Sequence, residues 1–124
     1  MLHKEITSKI ISAFYAVYNT LGYGFLEKVY ENALVIELEK RGLTIEQQLP
    51  IQVYYEGKVV GEYFADLLVN DKVIVELKAV KEIIDAHEAQ LVNYLKATNI
   101  EVGLLLNFGT EAKFKRKIFT QKKK

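Results

Sequence analysis

Two adjacent hydrophobic segments of the chain carry charged residues at positions that a folded sheet would bury. Residues 59–69 and 72–80 are rich in Val, Ile, Leu and aromatic side chains, a composition that favours β-strands. Asp66 lies within the first segment, and Glu76 and Lys78 lie within the second. Because an unpaired buried charge costs several kcal/mol, these side chains need partners if both segments are buried.

The spacing of these charges predicts that they share one face of the sheet. Glu76 and Lys78 are two residues apart, so both side chains point to the same side of a strand. Asp66 joins them if it pairs opposite Glu76, which leaves residues 70–72 as a hairpin loop with Lys72 in the left-handed conformation. A divalent cation would then neutralise the acids, although a buried ion pair that only fixes the strand register would also satisfy the charges.

Apolar periodicity elsewhere in the chain predicts helices. Apolar residues recur at helical spacing over residues 4–20 and again over residues 25–40. A third helix is expected to begin at Asp85, with Glu88 completing a capping box, and to end near Thr98. The two charged strands are thus preceded by two helices and followed by one.

The remaining strand-like segments complete an α/β pattern. Residues 45–56 predict a strand, and Pro50 within it indicates a sheet edge or a strand start. Residues 102–108 are continuously apolar, which is typical of a strand buried on both faces. The order is helix, helix, three strands, helix, strand, and it predicts a mixed central sheet flanked by helices.

Composition restricts the kind of site that the chain can hold. The 124 residues include no cysteine and two histidines, so disulfides and thiolate sites are excluded and oxygen ligands are expected for any metal. No apolar run approaches the ~20 residues that a membrane-spanning helix requires, and the first residues lack the apolar core of a secretory signal. We therefore expect a cytoplasmic protein that does not contact a membrane.

Charge is unevenly distributed along the sequence. The net charge is +1, but residues 113–124 contain seven basic residues and no acid, so residues 1–112 together carry −6. We expect one domain over residues 1–112 and a basic tail over residues 113–124, with a short strand near residues 117–120. A basic tail on an acidic body suggests contact with a polyanion, although a solvated chain end is the simpler explanation for Lys122–Lys124.

Two of the predicted helices carry polar residues beside their apolar stripes. Glu27 and Tyr30 share one face of the second helix, although the helix dipole alone also favours an acid in the first turn. On the third helix Gln90 and Tyr94 are four residues apart, a spacing that ordinary amphipathic residues also show. His87 is expected near the same face as a residue that does not bind metal.

Together these residues resemble the GxxExxY family, a branch of the PD-(D/E)XK nuclease superfamily. The resemblance spans about residues 5–110 and rests on three motifs: Gly24-Phe25-Leu26-Glu27-Lys28-Val29-Tyr30, Asp66 with Glu76-Leu77-Lys78, and Gln90-Leu91-Val92-Asn93-Tyr94. The third is similar to the Q-x-x-x-Y motif of exonuclease-like members. Ala65 stands where the superfamily name places a proline, a departure that is common in the wider superfamily. The resemblance implies a restriction-endonuclease-like core of order ααβββαβ.

The resemblance also implies a metal site. Asp66, Glu76 and the backbone carbonyl of Leu77 would bind Mg²⁺ or Mn²⁺, and Glu27 would bind the ion directly or through water. Lys78 would orient the attacking water and stabilise charge on the phosphoryl group. These assignments agree with the general chemistry of a cation that acts as a Lewis acid beside an ammonium group.

Supporting roles fall to Tyr30, Gln90 and Tyr94, of which the last two would brace the site and touch the nucleic-acid backbone. The implied function is a metal-dependent nuclease, with DNA favoured over RNA. The alternative is a non-catalytic nucleic-acid-binding or protein-interaction module that retains the fold, and a third possibility is a toxin or defence component that needs a partner. The acidic body suggests that a homodimer or a partner protein completes the binding groove.

Overall fold

A five-stranded sheet with helices on both faces makes up the computed structural model, which describes residues 1–120. The elements are α1 (Lys4–Leu21), α2 (Glu27–Lys40), β1 (Ile45–Tyr55), β2 (Lys58–Val69), β3 (Val73–Lys78), α3 (Asp85–Lys96), β4 (Val102–Phe108) and β5 (Ala112–Ile118). The predicted α/β class with a mixed central sheet is confirmed. Lys122–Lys124 lie outside the described residues. Within residues 1–120 no helix has both the length and the hydrophobicity to cross a bilayer.

The strands follow one another across the sheet in chain order, β1-β2-β3-β4-β5. Only β3 and β4 are parallel, because α3 carries the chain back between them, and all other neighbours are antiparallel. Val69 pairs with Val73, which is the register that places Asp66 opposite Glu76. The left-handed residues of the hairpin loop are Asn70 and Asp71, with φ of 51° and 56°.

The expectation that Lys72 takes the left-handed conformation was therefore wrong. The Lys72 N–H instead donates to the Val69 carbonyl at 3.0 Å and closes a tight turn over the two residues before it. Asn and Asp tolerate positive φ better than Lys, because their short polar side chains bond locally to the backbone.

Part-way along β1, the apolar side chains switch from one face of the sheet to the other. Before the change, Ile45 packs against the core beneath α1 and α2, and after it, Leu49 and Ile51 pack beneath α3. Gln48 lies at the change and has a left-handed backbone, with φ of 57°. Gln47 and Leu49 pair with Leu67 and Ala65 of β2, so Asp66 lies beside the change.

The two faces of β4 are both buried, as predicted, but they pack differently. Phe108 stacks on Tyr30 of α2 with a centroid distance of 4.4 Å and meets the edge of Phe14 of α1 at 4.8 Å. On the other face Gly103 lets α3 approach closely, since an added Cβ would stand 2.8 Å from the Leu91 side chain. The β4 strand therefore ties all three helices to the sheet.

The basic segment that follows β4 is part of the sheet. A short strand expected at residues 117–120 is instead β5, which spans Ala112–Ile118 and pairs with β4 along its length. Lys113 and Lys115 share the face that carries α3, and Phe114 lies on the other face, where it contacts Tyr15 of α1.

The cap of α3 also differs from its prediction. The Ile84 N–H donates to Nδ1 of His87 at 3.1 Å, so His87 and not the Asp85–Glu88 pair caps the helix. Glu88 instead forms an ion pair with Lys117 of β5. A neutral imidazole nitrogen and a carboxylate both accept hydrogen bonds, and the proximity of a lysine gives Glu88 a charged partner.

Candidate metal centre

Asp66 of β2 and Glu76 of β3 hold one another in place where the two strands separate. Glu76 Oε2 accepts a hydrogen bond from the Asp66 N–H at 2.6 Å, and Asp66 Oδ2 accepts one from the Leu77 N–H at 2.8 Å. The last backbone-paired residues before them are Leu67 and Val75. Hydrogen bonds from backbone N–H groups to the two carboxylates thus replace the backbone hydrogen bonds between β2 and β3. The two carboxylates lie side by side at the end of the paired region.

Burial and mutual repulsion oppose ionisation of this carboxylate pair. Glu76 is 6% exposed, and burial, followed by the charges of Asp66 and Glu27, raises its pKa to about 8. The pKa of Asp66 is also raised, first by burial and then by the charge of Glu31. The charge of Lys78 lowers both pKa values but does not cancel these effects. The protein therefore places two carboxyl groups side by side where full ionisation of both requires a positive partner.

The remaining carboxylate oxygens suit a hard divalent cation. Asp66 Oδ1 and Glu76 Oε1 are not used in the reciprocal hydrogen bonds. Within residues 1–120 no three acidic, histidine or cysteine side chains converge tightly enough to hold an ion. Mg²⁺ is often held by few carboxylates together with water and substrate phosphate. The residues present therefore fit a cation that shares its ligands with water or substrate, not a closed protein cage.

Glu27 approaches the carboxylate pair from the first turn of α2. Its side chain is exposed, and its charge contributes to the raised pKa of Glu76, so the two groups lie within electrostatic range. It does not form a converged three-residue cluster with Asp66 and Glu76 among residues 1–120. A role for Glu27 as a metal ligand, direct or through water, stays a prediction.

Glu31 is a buried acid beside the site that the sequence did not single out. It lies one turn after Glu27 on α2, is 4% exposed, and accepts hydrogen bonds from the side chains of Gln47 (2.9 Å) and Gln48 (3.2 Å). The same Gln48 amide lies 3.4 Å from Asp66 Oδ1. Gln48 thus links the two acids, and its left-handed backbone directs the amide between them.

The sequence carries only weak signals that Glu31 and Gln48 lie beside the site. Glu31 follows Tyr30 and precedes Leu34, so it borders the apolar stripe of α2. Gln47 and Gln48 place two amides in succession within a strand that is otherwise rich in apolar residues. Only the tertiary contact between α2 and β1 shows that these residues meet.

Tyr30 braces the loop that leads into α2. Its hydroxyl donates to the Gly22 carbonyl at 2.6 Å and accepts from the Phe25 N–H at 3.2 Å, while its ring stacks on Phe108. Gly22 and Gly24 have φ of 68° and 113°, which a side chain would strain. Tyr30 therefore fixes the loop before α2, and its supporting role in the site stays a prediction.

Replacing Tyr30 with phenylalanine is expected to lower the free energy of unfolding by about 1–3 kcal/mol, because both loop groups lose their partner. Urea denaturation measures the change. Tyr15→Phe is the control, since Tyr15 is 38% exposed and lies on the surface of α1. Equal losses in the two variants would show that the hydroxyl of Tyr30 does not brace the loop.

Lys78 lies two residues beyond Glu76 and is half-buried. Within residues 1–120 no salt bridge occupies its ammonium group. The end of its strand is held by Asn107, which is paired with Lys78 and is 1% exposed. Asn107 Oδ1 accepts from the Val80 N–H at 3.0 Å and its Nδ2 donates to the Val80 carbonyl at 2.9 Å. This clamp extends the β3–β4 pairing past Lys78.

The α3 residues Gln90 and Tyr94 lie on the side of the helix that faces β1 and β2. Tyr94 is 6% exposed, and burial, followed by the charges of Glu76 and Asp66, raises its pKa to about 12. The phenol is therefore close to the carboxylate pair and keeps its proton. Gln90 is half-buried one turn earlier on the same groove wall.

Similarity to known proteins identifies the superfamily. A model of the PD-(D/E)XK nuclease superfamily matches residues 4–118. The chain belongs to the PD-(D/E)XK nuclease superfamily. Members of this superfamily are generally phosphodiesterases that act on nucleic acid and typically use divalent metal ions. The assignment of Asp66, Glu76 and Lys78 to the superfamily's D…E-x-K pattern stays a prediction.

A solved structure shares the fold of this chain. The crystal structure of SSO0001 is similar with a TM-score of 0.61 and 20% sequence identity, over 97% of this chain. The chain spans 59% of the length of that protein. At this identity the likeness concerns the fold alone. The sequence has no significant match among the curated proteins.

Proposed function

We propose that this chain is a metal-dependent nuclease of the GxxExxY branch that hydrolyses phosphodiester bonds, with DNA as the favoured substrate. The observation that carries the proposal is the Asp66–Glu76 pair, which is held by reciprocal hydrogen bonds and in which burial and mutual repulsion oppose ionisation of both acids. A buried lysine–carboxylate ion pair that only fixed the strand register would form a salt bridge, whereas Lys78 forms none with either acid within residues 1–120.

Each residue near the pair has a definite task in this proposal. Asp66, Glu76 and the Leu77 carbonyl hold Mg²⁺ or Mn²⁺, with Glu27 contributing directly or through water. A bound divalent ion supplies a Lewis acid and lowers the pKa of water. Lys78 places its positive charge beside the phosphoryl group, where negative charge grows during hydrolysis.

The residues that surround the proposed metal ligands and Lys78 orient these groups and the substrate. Glu31 of α2 accepts a hydrogen bond from Gln48, whose amide also contacts Asp66, and Tyr94 lies near the carboxylate pair on the α3 side. Tyr94 and Gln90 are placed to contact the nucleic-acid strand. Because residues 1–112 carry −6, a homodimer or a partner protein would add basic surface for a long substrate.

Purified protein with Mn²⁺ or Mg²⁺ is expected to cleave end-labelled DNA, and EDTA is expected to stop it. Asp66→Asn should remove both cleavage and the rise in melting temperature that the metal causes, because the variant loses a ligand charge. Asp71→Asn makes the same chemical change in an exposed loop residue and should match the wild type.

Three results would count against the proposal. Cleavage that persists in Asp66→Asn would point to a contaminating nuclease. A melting temperature that millimolar Mn²⁺ does not shift would contradict the metal site. Inactivity on single-stranded, double-stranded and branched DNA and on RNA, with metal bound, would instead favour the non-catalytic binding module.

A further inference from the structure

A groove of about 740 Å³ runs between the outer half of the β1–β2 hairpin and α3. Tyr54 and Tyr63 contribute aromatic rings from the hairpin, and small residues such as Ala86 and Ala89 leave the α3 wall open. The Tyr63 ring is 46% exposed and lies 5.9 Å from the ring of Tyr94. Tyr63 is thus in contact with Tyr94, while about half of its surface stays accessible to solvent.

The groove approaches the candidate metal centre at Tyr94. Tyr94 belongs to its wall, and the charges of Glu76 and Asp66 act on the same phenol. Gln90 lines the groove one turn earlier on α3. The end of the groove at Tyr94 therefore lies close to the carboxylate pair.

The groove also differs in charge from the rest of the protein. None of its lining residues, all of which lie in the described part of the chain, is acidic, whereas residues 1–112 together carry −6. Besides tyrosine hydroxyls, its polar groups are the amides of Gln52, Gln90 and Asn93 and the side chain of Lys96, whose ammonium lies 5.8 Å from the centroid of the Phe119 ring. A phosphodiester backbone would meet no carboxylate there. One lysine does not serve a duplex, whose binding depends on many phosphate contacts.

We propose that this groove binds unpaired nucleotides, with a base stacked on Tyr63, and leads a single strand past Tyr94 to the metal centre. The inference rests on the proposed nuclease function and assigns its substrate as single-stranded nucleic acid or a single-stranded end. Stacking suits this surface because every base has a flat face and needs no cluster of basic residues. The amides are placed to bond with base edges or phosphate oxygens.

Fluorescence of an introduced tryptophan tests the stacking directly. The sequence contains no tryptophan, so Tyr63→Trp gives the protein a single reporter in the groove. Oligodeoxythymidine titrated in EDTA, where no cleavage occurs, is expected to quench its emission saturably. Tyr55→Trp is the control, because Tyr55 is 68% exposed at the hairpin end and does not line the groove. An equally quenched control, or no quenching in Tyr63→Trp, would overturn the proposal.

Affinity provides a second measurement. Tyr63→Ala is expected to weaken oligodeoxythymidine or oligouridine binding by about tenfold or more, as loss of one stacked base does, while Tyr55→Ala stays near the wild type. A blunt duplex hairpin should bind more weakly than either single strand. Preference for the blunt duplex, or equal binding by Tyr63→Ala, would contradict a single-strand groove.

The two proposals can fail separately. Cleavage without quenching in Tyr63→Trp rejects the groove and leaves the nuclease, whereas quenching without cleavage rejects the nuclease and leaves the groove as a binding site. If the Tyr63→Trp emission changes with protein concentration but not with oligonucleotide, the groove is an interface between copies of the chain and the proposal is wrong.

Discussion

Replacing Lys78 with alanine is expected to slow cleavage by about two to three orders of magnitude while the fold and the response to divalent metal remain. The ammonium group is half-buried beside the carboxylate pair, and within residues 1–120 no salt bridge holds it. It can therefore act where charge develops on the phosphoryl oxygen. An interaction made mainly in the transition state lowers kcat when it is lost, with little effect on ground-state binding.

Metal binding should survive this substitution for an electrostatic reason. Lys78 lowers the pKa values of Asp66 and Glu76, so its removal leaves more uncompensated negative charge beside the ion and does not weaken the attraction for a cation. Single-turnover cleavage at saturating Mn²⁺ and the metal-induced melting shift measure the two effects. Lys72→Ala is the control, since Lys72 is exposed in the β2–β3 loop. Unchanged cleavage in Lys78→Ala would contradict a catalytic role.

The relation of Asp66, Glu76 and Lys78 is predictable from the sequence because it depends on local geometry. Side chains two residues apart on a strand share a face, and a hairpin loop of known length fixes which residues of two strands are opposite. The structure has the register that this reasoning requires, with Val69 opposite Val73. The loop conformation was less predictable, since several turn types connect strands with the same register.

Glu31 and Gln48 illustrate what local patterns do not reveal. Each residue is ordinary within its own element, and their importance arises from a contact between α2 and β1 that brings both to Asp66. The left-handed backbone of Gln48 is stabilised by that surrounding structure and not by its own preference. In contrast, the polar–apolar alternation of Lys113, Phe114 and Lys115 predicts a strand. The high positive charge of this segment favoured its interpretation as a tail instead.

The second large expected effect concerns Glu76. Without metal, the free energy of unfolding is expected to fall as pH rises. Its pKa is about 8 in the folded protein and near the ordinary 4.5 when unfolded, so folding favours the protonated carboxyl. Below the pKa of the unfolded state, the stabilisation from the protonated carboxyl is fully present. It is lost as pH rises through the pKa of the folded state. Each pH unit in that window lowers the free energy of unfolding by about 1.4 kcal/mol, several kcal/mol in all.

Glu76→Gln separates this effect from other titrating groups, because the amide keeps an oxygen that can accept from the Asp66 N–H but carries no charge. In EDTA the variant should lose stability less steeply than the wild type between about pH 5 and pH 9, and above pH 8 it should be the more stable protein. Mn²⁺ should restore the wild type at high pH, because the ion takes the place of the proton, and should do little for Glu76→Gln. Urea unfolding across this pH range gives the comparison, with Glu62→Gln as an exposed control on β2. A wild-type stability that stays level or rises towards pH 8 without metal would show that Glu76 is not held protonated by its surroundings.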